Sequence, residues 1–348
     1  MTLKVCIMLD GYNRSINYMR ISLTDRCNLH CVYCRPDNTR MLEHSDVLRY
    51  EEILYVAKCA VSLGINRFKI TGGEPLLRKG SVDFIARLKA LEGVEQVTLT
   101  TNGMLLEQYI PKLLSCGIDG INISLDTLDN SLYEQITGGG NIEKALRGIR
   151  STVAAGIKCK LNCVALRILH EKDIINLMEF AHSLPVPLRF IELMPLACNN
   201  KLHSYNGNEM RSLLEKAGYQ LEKVNIIFGN GPAAYYEAAK NGEKQIIGFI
   251  EPLHGKFCGS CNRVRLTSTG QLKPCLYSHS TLDLRQLLRS SGSKGFKNKL
   301  DQNDKENLCS VNFENEIVDA LKKAIYEKPM GHHFEDSPAG FSMNEIGG

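Results

Sequence analysis

Arg20-Ile21-Ser22-Leu23-Thr24-Asp25-Arg26-Cys27-Asn28-Leu29-His30-Cys31-Val32-Tyr33-Cys34 sets a short strand-forming run directly ahead of three cysteines spaced C-x3-C-x2-C. A strand that empties into a thiol-rich loop puts a metal site at the edge of a sheet. Three thiolates on a cubane [4Fe–4S] cluster leave one iron without a protein ligand, and an open metal position is where exogenous chemistry takes place. Zinc with His30 as the fourth donor is the alternative, although four donors crowded between residues 27 and 34 reach a tetrahedron with difficulty.

The same run opens a rhythm of strand, loop and helix that repeats six times between residue 17 and about residue 194. Strands are expected at 17–24, 67–71, 96–101, 120–125, 158–166 and 188–194. Between the first two, Ile53, Leu54, Val56, Ala57, Ala60 and Val61 recur at helical spacing over 51–63. Gly64, Gly117 and Gly156 each stand where a helix would end in a left-handed cap. Strands alternating with helices mean right-handed crossovers and a parallel sheet, either doubly wound or an incomplete barrel. No G-x-G-x-x-G follows the first strand, which weakens the dinucleotide-binding version.

In a parallel barrel all the strand ends share one rim. That rim would collect Thr71-Gly72-Gly73-Glu74-Pro75, Thr100-Thr101-Asn102-Gly103, Ser124-Leu125-Asp126 and Glu192-Leu193-Met194. The fifth strand adds Lys160 and Asn162 on one face. The connections at the other edge are plain Leu-Gly-Ile and Ala-Gly-Ile turns. The fold class expected is therefore α/β, an incomplete (βα)6 TIM-type barrel.

After Gly229-Asn230-Gly231-Pro232 the rhythm changes, which divides the chain into an N-terminal extension (1–16), the partial barrel (17–228) and a C-terminal region (229–348). That region holds a second group, Cys258, Cys261 and Cys275, spaced C-x2-C-x13-C. A second [4Fe–4S] cluster with an open iron is the economical reading, and zinc completed by His254 or His279 is the alternative. Asn262-Arg263-Val264-Arg265 opens a strand-like stretch at 263–267, where the two arginines face the same way and offer two forks of donors to a polyphosphate. Residues 290–307 are polar and read as an exposed loop, a last helix is expected at about 314–323, and the chain ends Gly347-Gly348.

Thirteen cysteines in 348 residues call for an explanation. The first ten residues carry one lysine, a short apolar run and no small-residue cleavage site, so no signal peptide is expected. In a reducing cytoplasm clustered cysteines point to metal or catalysis, while the single ones (Cys6, Cys59, Cys116, Cys159, Cys163, Cys198 and Cys309) read as small apolar packing residues. An apolar fraction of 43% with a net charge of only +4 excludes widespread disorder, and no apolar run is long enough to span a membrane. The basic residues are dispersed and tryptophan is absent, which argues against a nucleic-acid partner.

The stretch 20–34 resembles the signature of radical S-adenosylmethionine enzymes, and Thr71-Gly72-Gly73-Glu74-Pro75 resembles their second motif, which holds the amino group of the methionyl moiety. The second cysteine group, with Arg263, Arg265 and the terminal Gly-Gly, is similar to the branch that cyclises GTP at the start of molybdenum cofactor biosynthesis. The resemblance covers about residue 10 to the end. It implies a cytoplasmic lyase with two [4Fe–4S] clusters, one on Cys27, Cys31 and Cys34 and the other on Cys258, Cys261 and Cys275. S-adenosyl-L-methionine would be met by Tyr33, Gly73, Ser124 and Met194. GTP would be met by Arg20, Lys69, Thr100, Lys160, Arg263, Val264 and Arg265. The radical would take hydrogen from C3' of the ribose, and the carbon radical would close onto C8 of guanine. Gly347 and Gly348 would thread into the site to help initiate radical formation. An electron donor of unknown identity is implied, and a homodimer is one option. Lys69 stands where many members carry arginine, keeping the charge but losing the fork. Arg35 replaces a common methionine. Two rivals remain: a radical enzyme of the peptide-maturase type with an auxiliary cluster, and a zinc-dependent binding module.

Overall fold

The computed structural model describes residues 7–35, 42–196, 202–226, 228–255, 257–278, 281–290, 308–332, 334 and 343–346. Six strands, β1 (Tyr18–Ser22), β2 (Arg67–Thr71), β3 (Gln96–Thr101), β4 (Gly120–Ser124), β5 (Cys159–Val164) and β6 (Leu188–Ile191), pair in parallel in the order of the chain. The intervening helices are α1 (Tyr50–Ser62), α2 (Ser81–Lys89), α3 (Leu106–Ser115), α4 (Asn130–Thr137), α5 (Ile142–Ala154) and α6 (Glu171–Ser183). A doubly wound sheet reverses its strand order at a switch point, whereas this unbroken order is that of a barrel wall. Gly64, Gly117 and Gly156 adopt φ of 86°, 67° and 69°, the left-handed caps expected of them. The strand at 188–194 is shorter than expected because, beyond Ile191, Leu193 N turns to Ser204 Oγ (3.1 Å).

Among the described residues the C-terminal region builds no separate sheet. After α7 (Gly207–Lys216) come β7 (Gln220–Val224), β8 (Ala234–Lys240) and β9 (Glu243–Ile250), an antiparallel set whose last strand lies parallel to β6. The chain then crosses to the other edge, where β10 (Arg263–Leu266) lies parallel to β1 and continues into β11 (Gln271–Lys273) and β12 (Leu282–Asp283). The order is β12-β11-β10-β1-β2-β3-β4-β5-β6-β9-β8-β7. The helices that follow are α8 (Leu284–Ser290), α9 (Leu308–Tyr326), longer than expected and packed on α1, and α10 (Met343–Ile346). Of the loop expected at 290–307, Ser290 closes α8 and residues 291–307 lie outside the described residues.

Alternation along each strand sorts the two faces. On β5, Cys159, Leu161 and Cys163 join the apolar core, while Lys160 and Asn162 point the other way. On β3, Val97 and Leu99 are in the core and Thr98 and Thr100 are not. Each fully buried Leu or Ile on the core side contributes ~2 kcal/mol, which pins the register and so fixes which polar side chains face inward. Cys59, Cys159 and Cys163 pack as expected, Cys116 is half-buried, and nothing is described for the side chains of Cys6, Cys198 and Cys309. Among the described residues no helix is long and apolar enough to cross a membrane.

Candidate active site

The loop after β1 that carries Cys27, Cys31 and Cys34 is fastened from two sides. His30 N donates to Thr137 O (2.8 Å) and Val32 N to Ile136 O (3.0 Å), seating the loop on the last turn of α4. From the other side Gly73 N donates to Thr24 O (2.6 Å) and Glu74 N to Arg26 O (2.8 Å). A Cβ on Gly73 would stand 2.3 Å from Arg26 O, so backbone contact between the two motifs demands glycine there. Beneath them the buried Glu74 carboxylate accepts from Leu76 N (3.0 Å), Asn102 N (2.9 Å) and the Thr101 hydroxyl (2.9 Å), joining the ends of β2 and β3. Burial pushes Glu74 up to about 7.

Burial also raises the Cys27 and Cys31 thiols, and Asn102 Nδ2 lies 3.8 Å from Cys27 Sγ. Buried thiols need nearby positive charge to ionise, and an iron centre supplies it, so the donor set fits an iron–sulfur cluster. Among the described residues no three His, Cys, Asp or Glu side chains converge on a single metal ion. His30 is exposed, and its backbone and Cβ pack close against Gly138.

The second group rests on a short turn, Phe257–Ser260, with Cys261 N donating to Cys258 O (3.1 Å), while Cys275 follows β11. Here the surroundings are cationic. Burial would raise the Cys261 thiol, but Lys328 and Arg263 outweigh it and hold the thiol below its usual value. His254 is 61% exposed and its ring is engaged by the buried Glu192 carboxylate instead of the thiols. His279 lies outside the described residues. Three unpaired thiols beside buried cations again suit an anionic iron–sulfur cluster.

Both triads line one cavity of about 310 Å³. Between them the sheet register sets Arg265, Arg20 and Lys69 abreast on β10, β1 and β2, with Arg263 one pleat below. Arg189 on β6 is buried and donates from Nε to Asn162 Oδ1 (2.9 Å) and from Nη2 to Asn122 Oδ1 (2.6 Å). Burial, then repulsion from Arg20, Arg189, Lys160 and Arg263, drives Lys69 well below the ordinary lysine value. Arg265 is lowered well below its usual value for the same reasons, and Lys160 falls to about 8. Amide oxygens orient Arg189 without neutralising it, and mutual repulsion among these buried cations makes a polyanion a suitable ligand for the wall. Asp126 adds a carboxylate to the same lining. Tyr33 Oη donates to Asp126 Oδ2 (2.7 Å), and burial pushes Asp126 up to about 6.

Residues 21–181 match the family described as Radical SAM superfamily, and residues 186–334 match Molybdenum Cofactor Synthesis C. A protein of Heliobacterium modesticaldum named GTP 3',8-cyclase is 37% identical, covering 98% of this chain and 100% of its own. One of the same name from Moorella thermoacetica is 38% identical over the same shares, and one from Peptoclostridium acidaminophilum is 42% identical over 81% and 87%. The chain belongs to the GTP 3',8-cyclase family of radical S-adenosylmethionine enzymes. Among solved structures, Streptococcus suis SuiB bound to S-adenosylmethionine has the same fold, with a TM-score of 0.60 at 15% identity over 95% of this chain and 77% of that one.

Of the positions carried over from the cyclase family, Arg20, Tyr33, Lys69, Gly73, Thr100, Ser124, Met194, Arg263 and Arg265 line the cavity together with all six cysteines. Lys160 stands just behind, with Nζ close to Gly229. Val264 differs from its two neighbours. Its side chain is buried in the apolar core on the face opposite Arg263 and Arg265, which leaves only its backbone to meet a ligand. Gly347 and Gly348 lie outside the described residues, though Met343 shortly before them lines the cavity. Sequence reasoning missed Arg189, whose signal was a lone charge inside Leu188-Arg189-Phe190-Ile191, and Lys328, which reads as an ordinary charge after a helix.

Proposed function

We propose that this chain converts GTP to (8S)-3',8-cyclo-7,8-dihydroguanosine 5'-triphosphate, the first step of molybdenum cofactor biosynthesis, as a lyase. One observation carries the reading: two cysteine triads border a single cavity, and a self-repelling wall of buried cations stands between them. When bound, a [4Fe–4S] cluster on Cys27, Cys31 and Cys34 supplies the electron that cleaves S-adenosylmethionine and yields the 5'-deoxyadenosyl radical.

The protein's own work is to bind, orient and exclude. Tyr33, Gly73, Ser124 and Met194 are the contacts for S-adenosylmethionine, whose sulfonium and ammonium favour the Asp126 carboxylate in the cavity lining. Arg20, Lys69, Lys160, Arg263 and Arg265 hold the triphosphate, with Thr100 beside them. Arg189 joins this set on the strength of its geometry. Cys258, Cys261 and Cys275 would hold a second [4Fe–4S] cluster, which would supply a binding position for the guanine. The triphosphate on one wall and the base at the far triad stretch the nucleotide across the cavity, leaving the ribose opposite the source of the radical. Closure of the cavity keeps water and oxygen from the reacting carbon. Gly347 and Gly348 complete the site as catalytic residues, a reading supported by Met343 at its edge. The division into 1–16, 17–228 and 229–348, a cytoplasmic location, a homodimer and an external electron donor belong to the same reading.

Anaerobic incubation with dithionite, S-adenosylmethionine and each nucleoside triphosphate in turn, followed by mass analysis, tests it. GTP-dependent 5'-deoxyadenosine together with a nucleotide of unchanged mass and altered chromatography is expected. Protein that cleaves S-adenosylmethionine yet returns GTP unaltered would refute the assignment.

A further inference from the structure

The second cysteine site is not held by the barrel alone. Lys328, just beyond α9, is only 2% exposed, and its Nζ donates to Arg263 O (2.9 Å) and to Pro274 O. Pro274 directly precedes Cys275, and Arg263 closely follows Cys261, whose thiol the same ammonium also contacts. The next residues reach the third cysteine. Arg14 donates to Cys258 O (2.8 Å), Met330 O (2.8 Å) and Pro329 O (2.6 Å), so it bridges that loop to the 329–330 segment. Gly331 then lies beside Cys258, where a Cβ would stand in ordinary contact, 4.0 Å from its sulfur.

Burying an ammonium costs several kcal/mol unless something offsets its charge. Main-chain carbonyls orient Lys328 without neutralising it, which leaves the formal charge facing the thiolates and whatever they bind. We propose that Lys328 is the positioning residue of the second cysteine site, fixing the backbone on both sides of the triad and setting the charge that its bound cluster experiences. The proposal rests on the two-cluster reading. A lysine that served only to end α9 would touch neither the flanks of Cys275 nor Cys261.

The test uses the full chain with Cys27, Cys31 and Cys34 replaced by alanine, so that only the second site binds iron. Lys328→Met and Lys328→Arg are compared with Lys328 in that background, by iron retained against a chelator and by the midpoint potential from electron paramagnetic resonance. Partners of metal ligands typically alter metal affinity by about 10–100-fold. Lys328→Met is expected to weaken iron retention by about tenfold or more and to move the midpoint to more negative values, because a nearby cation favours the reduced, more anionic cluster. Lys328→Arg keeps the charge and is expected to keep the wild-type midpoint, which holds the test open if the methionine variant fails to fold. Wild-type retention and midpoint in Lys328→Met, or an arginine variant shifted as far as the methionine one, would overturn the proposal. A Lys328 control that binds no iron sinks the two-cluster reading, a separate failure that takes this proposal with it.

Discussion

The two cysteine sites have the same number of thiols and opposite surroundings. Around Cys27, Cys31 and Cys34 the partners are backbone groups, the Asn102 amide, and two buried carboxylates, Glu74 and Asp126, both raised by burial. Around Cys258, Cys261 and Cys275 they are Lys328 and Arg263, with Arg14, ion-paired to the buried Asp10, on the Cys258 carbonyl. On the proposed function, the asymmetry matches what each end would receive. S-adenosylmethionine brings a sulfonium and an ammonium, so nearby carboxylates retain it and a cationic wall repels it. A triphosphate has the reverse preference. Electrostatics therefore sorts two ligands within one cavity before any shape selection acts.

The strongest way to break this comparison is to remove one thiol from each site. Cys27→Ala is expected to abolish S-adenosylmethionine cleavage outright, whatever nucleotide is present. Cys258→Ala is expected to retain cleavage, seen as 5'-deoxyadenosine formed with or without GTP, and to lose the cyclised product. Both products are quantified by mass analysis after anaerobic reconstitution. Equal loss of 5'-deoxyadenosine in both variants would show that the sites do not divide the work.

How much of this was legible beforehand follows from the range of the interactions. The barrel half was readable because strand period, helix period and glycine caps are local, and β2 and β3 form over the residues expected. The pairing of β10 with β1 was not, since nothing near residue 263 says which of six strands it will join. That pairing is what sets Arg265 beside Arg20. The orientation of the Val264 side chain was legible, because alternation in a strand with both arginines inward turns valine the other way. Lys328 was out of reach: its importance comes from two carbonyls far along the chain.

A smaller effect sharpens the cationic side. Charge-assisted hydrogen bonds contribute about 1.5–3 kcal/mol each, or roughly 10–100-fold in binding. Arg265→Ala is expected to raise the KM for GTP by about that factor and to leave the KM for S-adenosylmethionine within about twofold, since the Asp126 carboxylate is untouched. Initial-rate measurements with each substrate varied in turn separate the two. Parallel increases in both constants would mean that the two ends are not independent.

The smallest effect concerns protons. In the ligand-free protein Lys160 titrates at about 8 instead of its usual 10.5, lowered first by burial and then by Arg189. A depressed lysine is neutral in the folded state between those values and charged in the unfolded one, so its share of stability falls as pH drops from 10.5 toward 8 and then levels off. A triphosphate reverses the local sign and raises the pKa, so binding in that window draws a proton from solution. Titration calorimetry of GTP at about pH 9, in buffers of different ionisation enthalpy, is expected to show uptake approaching one proton from this group. Lys69 contributes in the same direction, which makes the difference between wild type and Lys160→Met the decisive quantity. Identical uptake in the two proteins would remove Lys160 from the phosphate wall, leaving Lys69 and the arginines to hold the charge.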